Sequence, residues 1–278
     1  MAPADFPGST RIRTPPMFEH VYLVSTRLKL VEPAAFDELS SARPCPFPHG
    51  YREYLTELGS GELSHCLRVR VPREVIASQD EDCEFLGGDA DSLEADVLYR
   101  TSVLPAAEIR TAVVFATTID GDMLIGCREH PGKLFCVPRH DNKITEVPRG
   151  FLGAVEDCRQ RTEDQFAYFE PYTRSRRACG FTMRSPSSVQ QFIELVAARW
   201  GQENVCASNP VTAQYALQVF VRPIQAHITL FLENPGQNIP GQNPVVLMYD
   251  NEFDREVTEF VETHRIADTE VWKNPKVM

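Results

Sequence analysis

Imidazole and thiol side chains cluster most closely at His130, Cys136, His140 and Asp141, with His65-Cys66 upstream. Four such groups in tetrahedral reach would hold zinc, and a zinc-activated water would make the chain a metal-dependent hydrolase. Zinc ligands usually come as close pairs, and the eight cysteines include no Cys-x-x-Cys. Alternation also turns Cys136 into a sheet while His130 and His140 fall in turns. The expectation is therefore no metal and no cofactor. His140-Asp141-Asn142 is similar to a short piece of a His-Asn nuclease hairpin, yet a net charge of −11 would repel a polyanion. Asp and Asn are also ordinary residues of tight turns. There is no Gly-x-Ser-x-Gly elbow, since Gly59-Ser60-Gly61 has the wrong spacing. Phosphate-loop, dinucleotide-glycine and His-Glu-x-x-His patterns are missing too. These residues predict a protein that is not an enzyme.

The strongest charge feature is Asp80, Glu81, Asp82, Glu84, Asp89, Asp91, Glu94 and Asp96, with no base before Arg100. In structural terms the run from Ala77 to Asp96 reads as a solvated loop. In functional terms the same eight residues are the candidate landing site for a basic protein partner. They do not follow the alternating ladder of a calcium loop.

Composition narrows the class. The 278 residues are 42% apolar and 24% charged, and no apolar run approaches the ~18 residues that a membrane helix needs. Neither direct nucleic-acid binding nor membrane association is expected. No secretory pattern opens the chain, and the scattered cysteines read as buried thiols of a reducing compartment, so the expected location is cytoplasmic.

The elements that must position these groups centre on Thr111 to Leu152. This stretch reads as a meander: strands at Thr111–Thr117, Met123–Arg128 and Leu134–Val137, a short one near Ile144, then a helix from about Pro148. Asp120-Gly121 is a hairpin signal, because glycine supplies the positive φ that primed turns demand. Upstream, Phe18–Ser25 alternates as a strand and Pro33–Ser41 predicts a short helix. Tyr51, Tyr54, Leu55 and Leu58 form one helical stripe that Gly59 stops, with Pro48 suited to the first turn. Ser64–Val71 reads as one strand.

Beyond residue 161, Gln165–Tyr172 reads as an edge strand or linker, and the domain boundary is placed at its start. Ala178–Met183 predicts a strand. Ser185 to Ser188 with Pro186 opens a helix that carries Val189, Phe192, Ile193, Val196, Ala197 and Trp200. Val211–Val221 and Ala226–Leu232 form a hairpin, and Asn234–Asn243 a loop. Val245–Tyr249 is a strand, Phe253–Val261 a helix, and Val271-Trp272 an edge strand. The expected organisation is a loose arm (1–16), an α+β domain (17–161) with a mostly antiparallel sheet flanked by helices, and a second, smaller α+β unit (162–278) with its helices on one sheet face.

Residues 18–160 resemble the SUKH superfamily of cell-wall-assembly regulators and toxin-immunity proteins. The resemblance is carried by Pro48, Tyr51, Arg52, Tyr54, Leu55 and Gly59-Ser60-Gly61, then by Val113 to Ala116, Gly121-Asp122, Leu134 to Val137 and Phe151-Leu152. Met123-Leu124 stands where the family often has an aromatic. The resemblance implies a non-enzymatic binding protein. In its bacterial form that protein occupies a toxin's active surface, and the acidic run would suit a cationic, nuclease-like toxin. A regulatory adaptor is the alternative, and a metal-dependent hydrolase using His130, Cys136 and His140 is the third reading.

Overall fold

Proline-opened helices and glycine-stopped ones set the first part of the chain. Strand β1 (Val21–Leu23) is followed by α1 (Pro33–Ala42), whose first residue needs no amide partner and whose Phe36 and Leu39 are buried. Helix α2 (Tyr51–Glu57) buries Tyr51, Tyr54 and Leu55 as their spacing predicts, but it starts after a left-handed Gly50, leaving Pro48 outside. Gly59 ends it at φ +85, where a Cβ would lie 2.3 Å from the Lys29 carbonyl oxygen. A hairpin of β2 (Gly61–Leu63) and β3 (Leu67–Val69) replaces the single strand expected over Ser64–Val71. Then come α3 (Pro72–Ala95), α4 (Ala106–Ile109), β4 (Val113–Thr118), β5 (Met123–Gly126), β6 (Leu134–Val137), β7 (Thr145–Val147), α5 (Phe151–Arg161) and β8 (Ala167–Pro171). The second part runs β9 (Arg176–Met183), α6 (Val189–Trp200), β10 (Val205–Ala207), β11 (Ala216–Val221), β12 (Ala226–Phe231), β13 (Asn243–Asp250), α7 (Asp254–His264) and β14 (Trp272–Asn274).

This computed structural model describes residues 17–18, 21–95, 103–140, 143–161, 167–173, 176–183, 189–207, 216–231, 243–265 and 271–274; side chains are not described at 89–95, 159, 161, 243 and 272–274. The expected arm (1–16), the Asp141-Asn142 turn, the cap at 185–188, Val211 to Tyr215 and the loop at 232–242 lie outside the described residues.

The protein is α+β, and its described residues form two sheets. The first has eight strands in the order β1-β8-β2-β3-β4-β5-β6-β7, antiparallel except for β1 on β8. The second has six, β10-β11-β12-β13-β9-β14, all antiparallel. One face of the first sheet packs on α1, α2 and α5 around Phe36, Tyr51, Tyr54, Phe115, Phe151 and Phe169. Its other face is divided. Leu86 of α3 and Ile109 of α4 cover Val114, Ile125 and Phe135, while Val24 and Tyr168 pack on Phe220 of the second sheet. Helices α6 and α7 cover the far face of that second sheet through Phe192, Val196, Val257 and Phe260.

Three further expectations need correction. The acidic run is helical as far as Ala95, because Val75, Gln79, Asp82 and Leu86 fall on one inward stripe of α3. Two of those four are polar, which conceals the period. Strand β8 is neither an edge nor a linker: it is buried on both faces between β1 and β2, so the first sheet reaches Pro171. Helices α6 and α7 do lie on one face of the second sheet as expected, and Phe220 and His227 on its other face point into the first sheet. Finally, only Gly121 of the Asp120-Gly121 pair has positive φ. Gly121 N–H donates to Thr118 O (3.0 Å) and Thr118 N–H to Asp122 O (2.9 Å), which makes a longer loop than a two-residue primed turn.

Candidate functional site

Helix α3 begins with Pro72, and Val71 N–H donates to the Glu74 carboxylate (3.2 Å), half of a capping box. Its inward stripe anchors it. Arg70 Nη1 donates to Asp82 Oδ2 (2.5 Å) and to Ser78 Oγ (2.7 Å), and Ser78 Oγ donates to the same carboxylate oxygen (2.8 Å). Asp82 is thus turned inward and paired, which takes it out of the solvent-facing set. Asp80, Glu81 and Glu84 do face solvent, the Asp80 side chain fully. The side chains of Asp89, Asp91 and Glu94, and all of Asp96, lie outside what is described. Sequence reasoning missed Phe85, which stands 57% exposed one turn beyond Glu81 and next to Glu84 in the helix. An exposed aromatic bordered by acids is a surface with an apolar anchor and a charged rim.

The imidazole and thiol groups of the meander are not brought together. His130 packs edge-on to Phe135 and lies 2.9 Å from Glu108 Oε2. Cys136, the next residue along β6, points to the opposite face, where it lines a cavity of about 120 Å³ with Cys66, Asp157 and Cys158. His140 is exposed at a bend. Among the described residues no three His, Cys, Asp or Glu side chains are placed to hold a metal ion.

Polar groups do converge where the two sheets meet. Ser64 and His65 turn the β2–β3 hairpin at φ +50 and +49, a conformation that residues other than glycine adopt at a cost. The turn is held to β8, where Ser64 N–H donates to Tyr168 O (2.8 Å) and Tyr168 N–H to Ser64 Oγ (3.1 Å). That places the His65 ring on His227 (5.1 Å between centroids, 29°), which in turn stacks on Phe220 (4.8 Å, 16°). Beside this stack the enclosed Arg176 guanidinium donates to Glu170 Oε1 (2.6 Å), Gln225 O (2.6 Å) and Met248 O (3.2 Å), with Asp250 at 3.6 Å. Ser25 Oγ donates to Asp250 Oδ2 (2.8 Å), which ties β1 to the second sheet.

The charges of this joint follow from its burial. Burial pushes Glu170 up more than Arg176 draws it down. Burial also carries the His227 imidazole well below its ordinary value, and the nearby His65 and Arg176 charges add to the effect. For His65 burial acts downward, but its hydrogen bond to Glu62 and the charges of Glu62 and Glu170 outweigh it and raise the group. His227 Nε2 pairs with Gln218 Oε1, so Nδ1 carries a lone pair; it lies 3.8 Å from Glu170 Oε2, and both atoms lack a hydrogen-bond partner. Two facing acceptors favour a proton on one of them, in keeping with the raised Glu170. No protein-family model matches the sequence, and no curated protein matches it. No helix among the described residues is long and apolar enough to cross a membrane.

Proposed function

We propose that this chain is a non-enzymatic protein-binding module, of the immunity type, that neutralises a basic, nuclease-like toxin domain by covering it. The observation that carries this reading is the outer face of α3, where Phe85 is exposed among Asp80, Glu81 and Glu84. Carboxylates steer a cationic partner and an aromatic anchor holds it once desolvated. The SUKH resemblance of residues 18–160 points the same way. The joint supports it too, since Arg176, Asp250 and His227 are fully enclosed and spent on holding one sheet to the other. A regulatory adaptor is the second reading; Phe231, 44% exposed on the second sheet, offers it a separate apolar contact.

Co-expression with the products of neighbouring genes tests the proposal. A basic protein retained at low salt and released at high salt supports it, because exposed charges are screened within about 10 Å at 0.1 M salt. A complex indifferent to salt, or no basic partner at low salt, contradicts the acidic-face reading.

A further inference from the structure

The joint between the sheets carries a charge imbalance that a single proton cancels. Glu170, Arg176, His227 and Asp250 are all enclosed, and Arg176 sets one positive charge against two carboxylates. Charges taken out of water are costly unless they are balanced, so a surplus carboxylate here strains the cluster.

The hydrogen bonds show where the proton fits. Glu170 Oε1 is taken by Arg176 Nε (2.6 Å), and His227 Nε2 by Gln218 Oε1. What remains is Glu170 Oε2 facing His227 Nδ1 at 3.8 Å, two buried acceptors without a donor. A proton on one of them supplies that donor, needs only a small rotation to close the gap, and brings the cluster to zero charge. The surrounding groups favour the carboxyl. Burial raises Glu170, Arg176 of β9 and His65 of the β2–β3 turn draw it down, and Asp250 of β13 raises it again; burial prevails. Glu62 of β2 stands opposite Glu170 in the sheet, but it pairs with His65 and Tyr172. His227 on β12 is held well below its ordinary value, which leaves the proton to Glu170.

We infer that Glu170 and His227 hold one proton between them that latches the second sheet to the first, and that its loss to solvent hydroxide at alkaline pH loosens the joint. Protonated, Glu170 donates to His227. Ionised, it leaves two facing acceptors and an enclosed surplus charge. A carboxyl raised by folding favours the closed joint at low pH, and that preference is lost as pH rises through its folded value. The latch does not depend on the protein-binding reading.

Amide hydrogen exchange of β8 and β12 in the full chain, corrected for the intrinsic effect of pH, tests this between pH 5 and 9. His65→Asn serves as the background, so that His65 does not titrate. Opening of both strands should become at least about tenfold more frequent across this range, since each pKa unit of displacement is about a factor of ten. Adding Glu170→Gln should abolish the rise, because its amide donates to His227 at every pH while its oxygen still accepts from Arg176. No rise in the background chain overturns the inference, and so does an equal rise with and without Glu170→Gln. The carbon-13 titration of the Glu170 carboxyl in the unaltered chain decides the matter if either variant fails to fold. A midpoint above the ordinary 4.5 is expected, and one at or below 4.5 overturns the latch.

Discussion

Replacing Arg176 by Leu should unlock the two sheets. The side chain is fully enclosed and donates to Glu170 and to the Gln225 and Met248 carbonyls, with Asp250 within 3.6 Å. Leucine would remove the cation beside two enclosed carboxylates and one donor from each of two carbonyls. Breaking a buried ion pair by removing one partner costs about 3–5 kcal/mol. Native domains hold only about 5–15 kcal/mol in total, so the loss would be a large share of it. Glu170 is already pushed up by burial, and without Arg176 it would take a proton more readily still. The penalty should therefore be greater at pH 8 than at pH 5.5. Urea unfolding followed by circular dichroism at both pH values measures it, and adding Glu170→Gln should recover part of the loss. A loss under about 1 kcal/mol at pH 8, the range of an exposed ion pair, would refute the view that this cluster joins the sheets.

The two stacked imidazoles should give stability a crest near their ordinary value of 6.5. The raised His65 contributes fully below 6.5, and its contribution is lost as pH climbs through its folded value. The depressed His227 contributes above 6.5 and loses that contribution as pH falls toward its folded value. His65→Asn, which suits the left-handed turn, should flatten the alkaline limb, and His227→Asn the acid limb, in urea midpoints measured from pH 5 to 8.5. Gly87→Ala and Gly88→Ala should each stabilise α3 by about 0.5–1 kcal/mol, since a Cβ at either meets nothing within 4 Å; thermal melts would register this. Asp82→Asn should cost about 1–3 kcal/mol in urea unfolding by weakening the inward pair with Arg70, and leave partner binding unchanged in a pull-down.

The sequence made some elements plain and concealed others for physical reasons. The stripes of α2 and α6 are wholly apolar on their inner sides, and the meander is punctuated by Gly121 and Gly132, so these could be read directly. Helix α3 could not, because Gln79 and Asp82 occupy half of its inward stripe; Pro72 and Glu74 were the signal that remained. Strand β8 is buried on both faces, which erases alternation, and its parallel partner β1 is far away in sequence. The joint gathers His65, Glu170, Arg176, His227 and Asp250 from five separate stretches, each an isolated polar residue. A faint clue was present in Ala167-Tyr168-Phe169-Glu170, where a carboxylate falls on the same side as Tyr168, within an otherwise apolar strand. That Asp80, Glu81 and Glu84 reach solvent was legible, but Phe85 joins their exposed side, and Asp82 leaves it, only once the run is wound as a helix.

The most direct test of the protein-binding account is to reverse charge on the outer face of α3 and remove its aromatic, as Glu81→Lys, Glu84→Lys and Phe85→Ala together. None of these side chains contributes to the core. Affinity for the co-purified basic partner should fall by at least a hundredfold while the urea midpoint stays unchanged. Undiminished binding by the folded triple variant would contradict the account.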